Sequence, residues 1–266
     1  MADPRVVVAG ATLLGRALPV SGIPGFRVAE RDDRFLAGAG PLVAAAALAT
    51  RATTGVHVEL VTSVGNDDAG RWCLSELVGR GIDLASVDRL GSSGEHLEIS
   101  ATTGDGVTTD VVLIPGPLPE EAAVEIALAR CAPGDVLVVD AALLATAPRF
   151  LDVAYDRDCQ IVADLHPVLP RALDAAVMER IDVAVVDAPG AGAVADAAMP
   201  PSSLAVHTGP AGAWWDDLRH EGLGARASSD GTHAFAGGLA AALAAGLDRP
   251  EAFALAVQSS ALGAER

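Results

Sequence analysis

The sequence predicts a three-layer α/β/α sandwich around a mostly parallel central sheet. Three observations lead there. Short β-branched runs are apolar throughout rather than alternating, as strands covered on both faces must be. Alanine-rich helical stretches alternate with those runs, which is the rhythm of a doubly wound fold. Only 3% of the 266 residues are aromatic while 51% are hydrophobic, so small side chains must pack the helices closely over the sheet.

Strands are expected at Arg5–Ala9, His57–Val64, Val136–Asp140, Gln160–Leu165, Val183–Asp187 and Leu204–Thr208. Helices are expected at Pro41–Thr50, Ala69–Gly79, Pro119–Cys131, Ala147–Tyr155, Gly190–Ala198, Ala234–Ala245 and Pro250–Leu262. Two stretches break the rhythm, about 16–36 and about 95–113. They alternate apolar and polar residues around turn signals such as Gly104-Asp105-Gly106 and predict antiparallel strands outside the main sheet. With no linker or internal repeat, residues 1–266 read as one domain carrying a small β lid.

Composition excludes several classes. A formal charge of −17 argues against nucleic acid, which needs a basic surface. No apolar run reaches the roughly 18 residues of a membrane span. The run after Arg5 is too short for a signal peptide, so a cytoplasmic location is expected. All 18 basic residues are arginine, which removes any lysine-dependent mechanism such as a Schiff base or P-loop. Cys73, Cys131 and Cys159 are widely and irregularly spaced, and read as buried free thiols without a metal site or disulfide framework.

Motifs narrow the field further. Val64-Gly65-Asn66-Asp67-Asp68-Ala69-Gly70 ends a strand at Gly65 and caps a helix with Asp67 or Asp68, and Gly81 breaks that helix before Ile82-Asp83. Ala234-Phe235-Ala236-Gly237-Gly238 opens an alanine-rich helix. With these, the chain resembles the ribokinase-like (PfkB) carbohydrate kinases, whose two signatures run Val-Gly-x-Asp-x-x-Gly and D-T-T-G-A-G-D-A-F-x-G-G. Gly38-Ala39-Gly40 and the following alanines are similar to the helix start that borders the family's sugar pocket. Asp164-Leu165-His166-Pro167 resembles its Asp-x-Asn-Pro turn. Val206-His207-Thr208-Gly209-Pro210-Ala211-Gly212-Ala213 resembles its V-[TK]-x-G-x-x-G-A nucleotide loop, where glycines let main-chain N–H groups approach an anion.

The resemblance implies ATP and Mg²⁺ as cofactors, a sugar or nucleoside as the small-molecule substrate, and a homodimer formed through the lid. It implies an ATP-dependent phosphotransferase with an alcohol-group acceptor. It also places the site: His233 at the catalytic aspartate, and Asp230, Gly231 and Thr232 at the Gly-Ala-Gly anion hole. Thr208, Gly209 and Gly212 fall at the nucleotide loop, and Gly38, Gly40 and Val43 at the substrate pocket.

At these positions the side chains that do chemistry are replaced. Val43 stands for a sugar-binding asparagine, Leu14 or Gly15 for a sugar-binding aspartate, and Asp187 and Gly190 for the asparagine and glutamate of N-x-x-E. Asp187 is the one metal candidate. A positioned general base is worth about 10²- to 10⁴-fold in rate. A carboxylate such as Asp230 near a phosphate oxygen repels it by roughly 4 kcal/mol at 4 Å and an effective dielectric near 20. The leading expectation is a catalytically impaired or non-catalytic homologue retaining a small-molecule pocket. One alternative is a divergent sugar or nucleoside kinase using His233 as base. The other is a structural or regulatory oligomeric module.

Overall fold

The computed structural model describes residues 3–21, 27–28, 33–103, 106–166, 173–195, 201–221 and 229–263. The Gly104-Asp105 turn, Pro167, the Asp230 side chain and the last three residues lie outside that description.

β1 (Arg5–Ala9) leads to β2 (Leu13–Ser21), β3 (Arg27–Val28) and β4 (Asp33–Ala37), then to α1 (Ala39–Ala49) and α2 (Arg51–Thr54). β5 (His57–Val64), α3 (Asp68–Gly79), β6 (Val87–Arg89), β7 (Gly94–Thr103) and β8 (Gly106–Ile114) follow. Next come α4 (Glu121–Leu128), β9 (Val136–Asp140), α5 (Ala141–Thr146), α6 (Phe150–Asp156) and β10 (Gln160–Asp164). α7 (Ala175–Met178), β11 (Val183–Asp187), α8 (Ala188–Ala195) and β12 (Ser203–His207) continue the alternation. The hairpin β13 (Gly212–Trp215) and β14 (Leu218–Glu221) precedes α9 (Ser229–Ala244) and α10 (Arg249–Gly263).

Among the described residues the main sheet has nine strands in the order β14-β13-β12-β11-β10-β9-β1-β5-β6. All neighbours from β12 to β6 are parallel, and only the β13–β14 hairpin runs antiparallel at the edge. The stretches that break the apolar rhythm form a separate small sheet, β3-β2-β7-β8, with β4 also on β2; each stretch pairs antiparallel within itself as expected, but β2 and β7, which join the two, run parallel.

Each strand splits its residues between two cores, as the period of two requires. Val6, Val8, Val138 and Val162 face α1, α9 and α10, whereas Val7, Ala9, Val139 and Ile161 face α4, α5 and α6. That is the three-layer sandwich. Gly237 and Gly238 sit where α9 meets its neighbours. A Cβ at Gly237 would press on the Val43 carbonyl of α1, and one at Gly238 on Ser259 of α10. The Gly-Gly pair therefore serves close helix packing.

Asp67, rather than Asp68, caps α3. Its carboxylate accepts from the Gly70 amide at 2.8 Å, the Ser93 amide at 2.8 Å and the Ser93 hydroxyl at 2.6 Å. These bonds, the Ser93 hydroxyl first among them, hold the Asp67 carboxyl down at about 2.

Several helix boundaries depart from expectation, two of them at the site or beside it. The helix expected from Ala234 begins at Ser229, so Asp230 to His233 lie in its first turns and not in a preceding loop. Gly231 reads as a helix breaker, but a first-turn glycine costs little and its missing Cβ leaves room for a neighbouring ring. The helix expected over Ala147–Tyr155 covers only Phe150–Asp156. Ahead of it α5 follows β9 directly, because Asp140 caps it by accepting from Leu143 N at 2.7 Å.

Candidate functional site

The parallel strands all end on one edge of the sheet, where ligands of open α/β folds bind. Asp140 ends β9, Asp164 ends β10, Asp187 ends β11 and His207 ends β12, with α9 starting above them. Apart from Asp187 these groups are buried, and each makes at least one side-chain hydrogen bond to protein.

His233 Nδ1 lies 2.6 Å from Asp164 Oδ2. His166 Nδ1 lies 3.0 Å from Asp187 Oδ2, and the His166 ring meets the His233 ring edge to face at 5.4 Å. His207 Nδ1 faces the Thr232 hydroxyl at 3.3 Å. Its Cε1 is so near Gly231 that a Cβ there would come within 2.9 Å. The imidazole thus fills the space between the end of β12 and the start of α9.

Burial governs the charges here. It pushes the His207 imidazolium down to about 4, with the His166 charge adding to the effect. His166 is also lowered, by burial first and then by His233, against the opposing pull of Asp164 and Asp187. Both rings are neutral near pH 7. Asp140 is raised by burial, although the Ala11 amide at 2.6 Å and the Leu143 amide oppose that shift.

His233, Thr232, Gly231 and, through His166, Asp187 come together around this edge. Thr208 instead closes its own loop: its amide and hydroxyl both donate to the Gly212 carbonyl, at 2.9 and 2.8 Å. Gly209 and Gly212 take φ of 68° and 137° in that loop, which suits glycine. Gly40 donates to the Ala11 carbonyl at 3.2 Å, next to Asp140. Gly38 holds φ at 93° just before α1. Val43 is fully buried in the core between α1 and its neighbours.

Sequence reasoning missed the roles of Asp140, Asp164 and His166. The Asp-Leu-His-Pro turn was the available signal, since it puts an acid and an imidazole at a strand end. Asp187 does not fit a metal. One oxygen accepts from Gly190 N at 2.8 Å and the other meets His166, so the carboxylate is engaged twice. Among the described residues no group of three or more His, Cys, Asp or Glu is arranged to hold an ion. The acid at the Mg²⁺ position is thus already engaged by protein partners on both oxygens. No helix among the described residues is long and apolar enough to cross a membrane.

No protein-family model and no curated protein matches the chain. Solved structures do. A PfkB protein from Polaromonas sp. JS666 superposes with a TM-score of 0.72 at 19% identity, covering 98% of this chain and 96% of that one. A nucleoside kinase from Burkholderia thailandensis in complex with inosine gives 0.72 at 18%, covering 98% and 91%. Arabidopsis thaliana ribokinase complexed with ribose and ATP gives 0.73 at 15%, covering 100% and 94%. Likeness over nearly whole chains, with the same parallel sheet and flanking helices, shows that this protein has the ribokinase-like fold.

Proposed function

We propose that this protein is a catalytically impaired or non-catalytic relative of the ribokinase-like sugar and nucleoside kinases, retaining a small-molecule pocket. One observation carries the reading: the His207 ring packs against Gly231 and Thr232, where the resemblance puts the phosphate-binding turn. A neutral ring there covers helix N-terminal amides that would otherwise attract an anion. Asp187 is engaged as a helix cap, which removes the candidate for Mg²⁺.

The ligand class is a pentose or nucleoside, by analogy with the ribose and inosine bound by the structural neighbours. The pocket lies between the strand ends and the small sheet, which acts as its lid within a single domain. The same small sheet is the proposed dimer surface. Val111, Val112, Leu113 and Ile114 on its edge strand β8 are 45–53% exposed in succession, an apolar edge suited to pairing with a second copy.

The test is calorimetric titration with ribose and inosine, together with a phosphotransfer assay over a panel of pentoses, hexoses and nucleosides. Binding of a sugar or nucleoside without ATP turnover is the expected result. Turnover that disappears in His233→Ala would sink the impaired reading. It would establish instead a divergent ATP-dependent sugar or nucleoside kinase with His233 as base. That second reading draws support from the 2.6 Å contact with Asp164, which fixes the ring's orientation.

A further inference from the structure

The strand order sets three carboxylates side by side. Asp140 and Asp164 are in register on β9 and β10. Val185 pairs with Asp164, so Asp187 lies two residues further along β11 on the same face. Within this cluster the exposure is uneven. The Asp164 and His233 side chains are 0% and 7% exposed, whereas Asp187 keeps 31% and His166 13%. The His166–Asp187 pair is therefore the part that a ligand can meet. Both members are held in place. The His166 amide donates to Asp164 Oδ1 at 3.2 Å, and its ring rests edge to face on His233. Asp187 Oδ1 accepts from Gly190 N, which fixes the carboxylate plane.

A carboxylate can only accept, so the 3.0 Å contact between Asp187 Oδ2 and His166 Nδ1 places the ring proton on Nδ1. Burial disfavours a second proton, which leaves Nε2 with a bare lone pair. Among the described residues that nitrogen has no hydrogen-bond partner, and it is not one of the buried polar atoms left without one. It thus reaches accessible surface at the edge where the strands end.

We propose that His166, aimed by Asp187, selects the ligand of this site: its Nε2 lone pair accepts a hydrogen bond from a ligand hydroxyl, and the acids beside it turn away a phosphate ester. The inference rests on the small-molecule pocket proposed above and narrows its ligand to the uncharged sugar or nucleoside. A hydroxyl can donate to Nε2. A phosphate dianion has no proton to give, and it meets a lone pair backed by the Asp187 carboxylate. Neither His166 nor His207 carries a compensating positive charge near pH 7. Selection therefore comes from repelling the wrong ligand as much as from holding the right one.

The experiment titrates the full chain by calorimetry near neutral pH with ribose, ribose 5-phosphate, inosine and inosine 5′-monophosphate. The parent compound is expected to bind, and its phosphate ester to bind at least about tenfold more weakly. His166→Phe keeps a ring in place and weakens the parent compound about tenfold. Asp187→Asn keeps an oxygen for Gly190 N but turns an amide N–H towards Nδ1, which drives the ring proton to Nε2. It weakens the parent compound and, with one charge fewer, narrows its advantage over the ester. Imidazole nitrogen-15 shifts read the tautomer directly: Nε2 is unprotonated in unliganded wild type and protonated in Asp187→Asn. An ester bound as tightly as its parent, parent binding unchanged in His166→Phe, or a protonated Nε2 in wild type would each overturn the proposal. The last readout needs neither variant nor ligand, so it stands if a variant fails to fold. Wild type that binds none of the four compounds overturns the pocket reading itself, and the selection with it. Binding that survives His166→Phe overturns the selection alone.

Discussion

His233 Nδ1 stands 2.6 Å from Asp164 Oδ2, two groups 69 residues apart that meet out of reach of solvent. A carboxylate so buried depends on its partner. His233→Ala leaves Asp164 uncompensated and is expected to lower unfolding stability by about 3–5 kcal/mol, read from urea denaturation. On the impaired reading, phosphotransfer by wild type and variant is equally at the blank.

His207 determines whether the start of α9 is open. His207→Ala removes the ring that abuts Gly231 and is expected to create a thermal shift with ATP that wild type lacks. No gain of shift would count against the ring as the obstruction. Gly231→Ala drives a methyl group to 2.9 Å from the same ring, and overpacking of that kind costs about 1–3 kcal/mol.

Stability falls in mild acid. His207 has a folded value of about 4 against an ordinary 6.5, so between those values the unfolded chain binds more protons than the folded one. Its contribution is fully present above about 6.5 and is lost as pH falls towards 4. His166 is shifted in the same direction and adds to the effect. Asp67 extends the loss lower, since its stabilisation is present above 3.8 and disappears as pH falls to about 2. Urea midpoints measured from pH 8 to pH 4 should decline, and His207→Gln should flatten the upper part of that decline.

The turn at Gly65–Gly70 is a structural knot. Asp67→Ala removes the α3 cap, which alone costs about 1–2 kcal/mol, and also strands the Ser93 amide. Gly70→Ala puts a methyl group into the Gly65 carbonyl, so no folded, soluble product is expected on expression.

For the proposed dimer, light scattering on eluted protein should report twice the chain mass. Leu113→Asp places a charge on the exposed edge of β8 and should give a monomer with unchanged circular dichroism. A wild-type monomer would refute the pairing.

Most of the architecture was legible in the residues themselves. Runs such as Val136–Asp140 and Val183–Asp187 are short, β-branched and apolar on both faces, so their strands and the parallel sheet follow from local pattern alone. The Gly237-Gly238 pair was legible as a signature but not as helix packing, because its partners on α1 and α10 are remote in sequence. The start of α9 was misplaced for a related reason. Gly231 has poor helix propensity, and only the ring lodged against it explains a glycine in that turn.

By itself the sequence determined the sandwich and the alternation of its layers, both properties of local composition and spacing. Tertiary structure alone decided which groups meet at the strand ends. Which acid meets which imidazole depends on the order β12-β11-β10-β9, which sets Asp164 beneath His233 and His207 against Gly231.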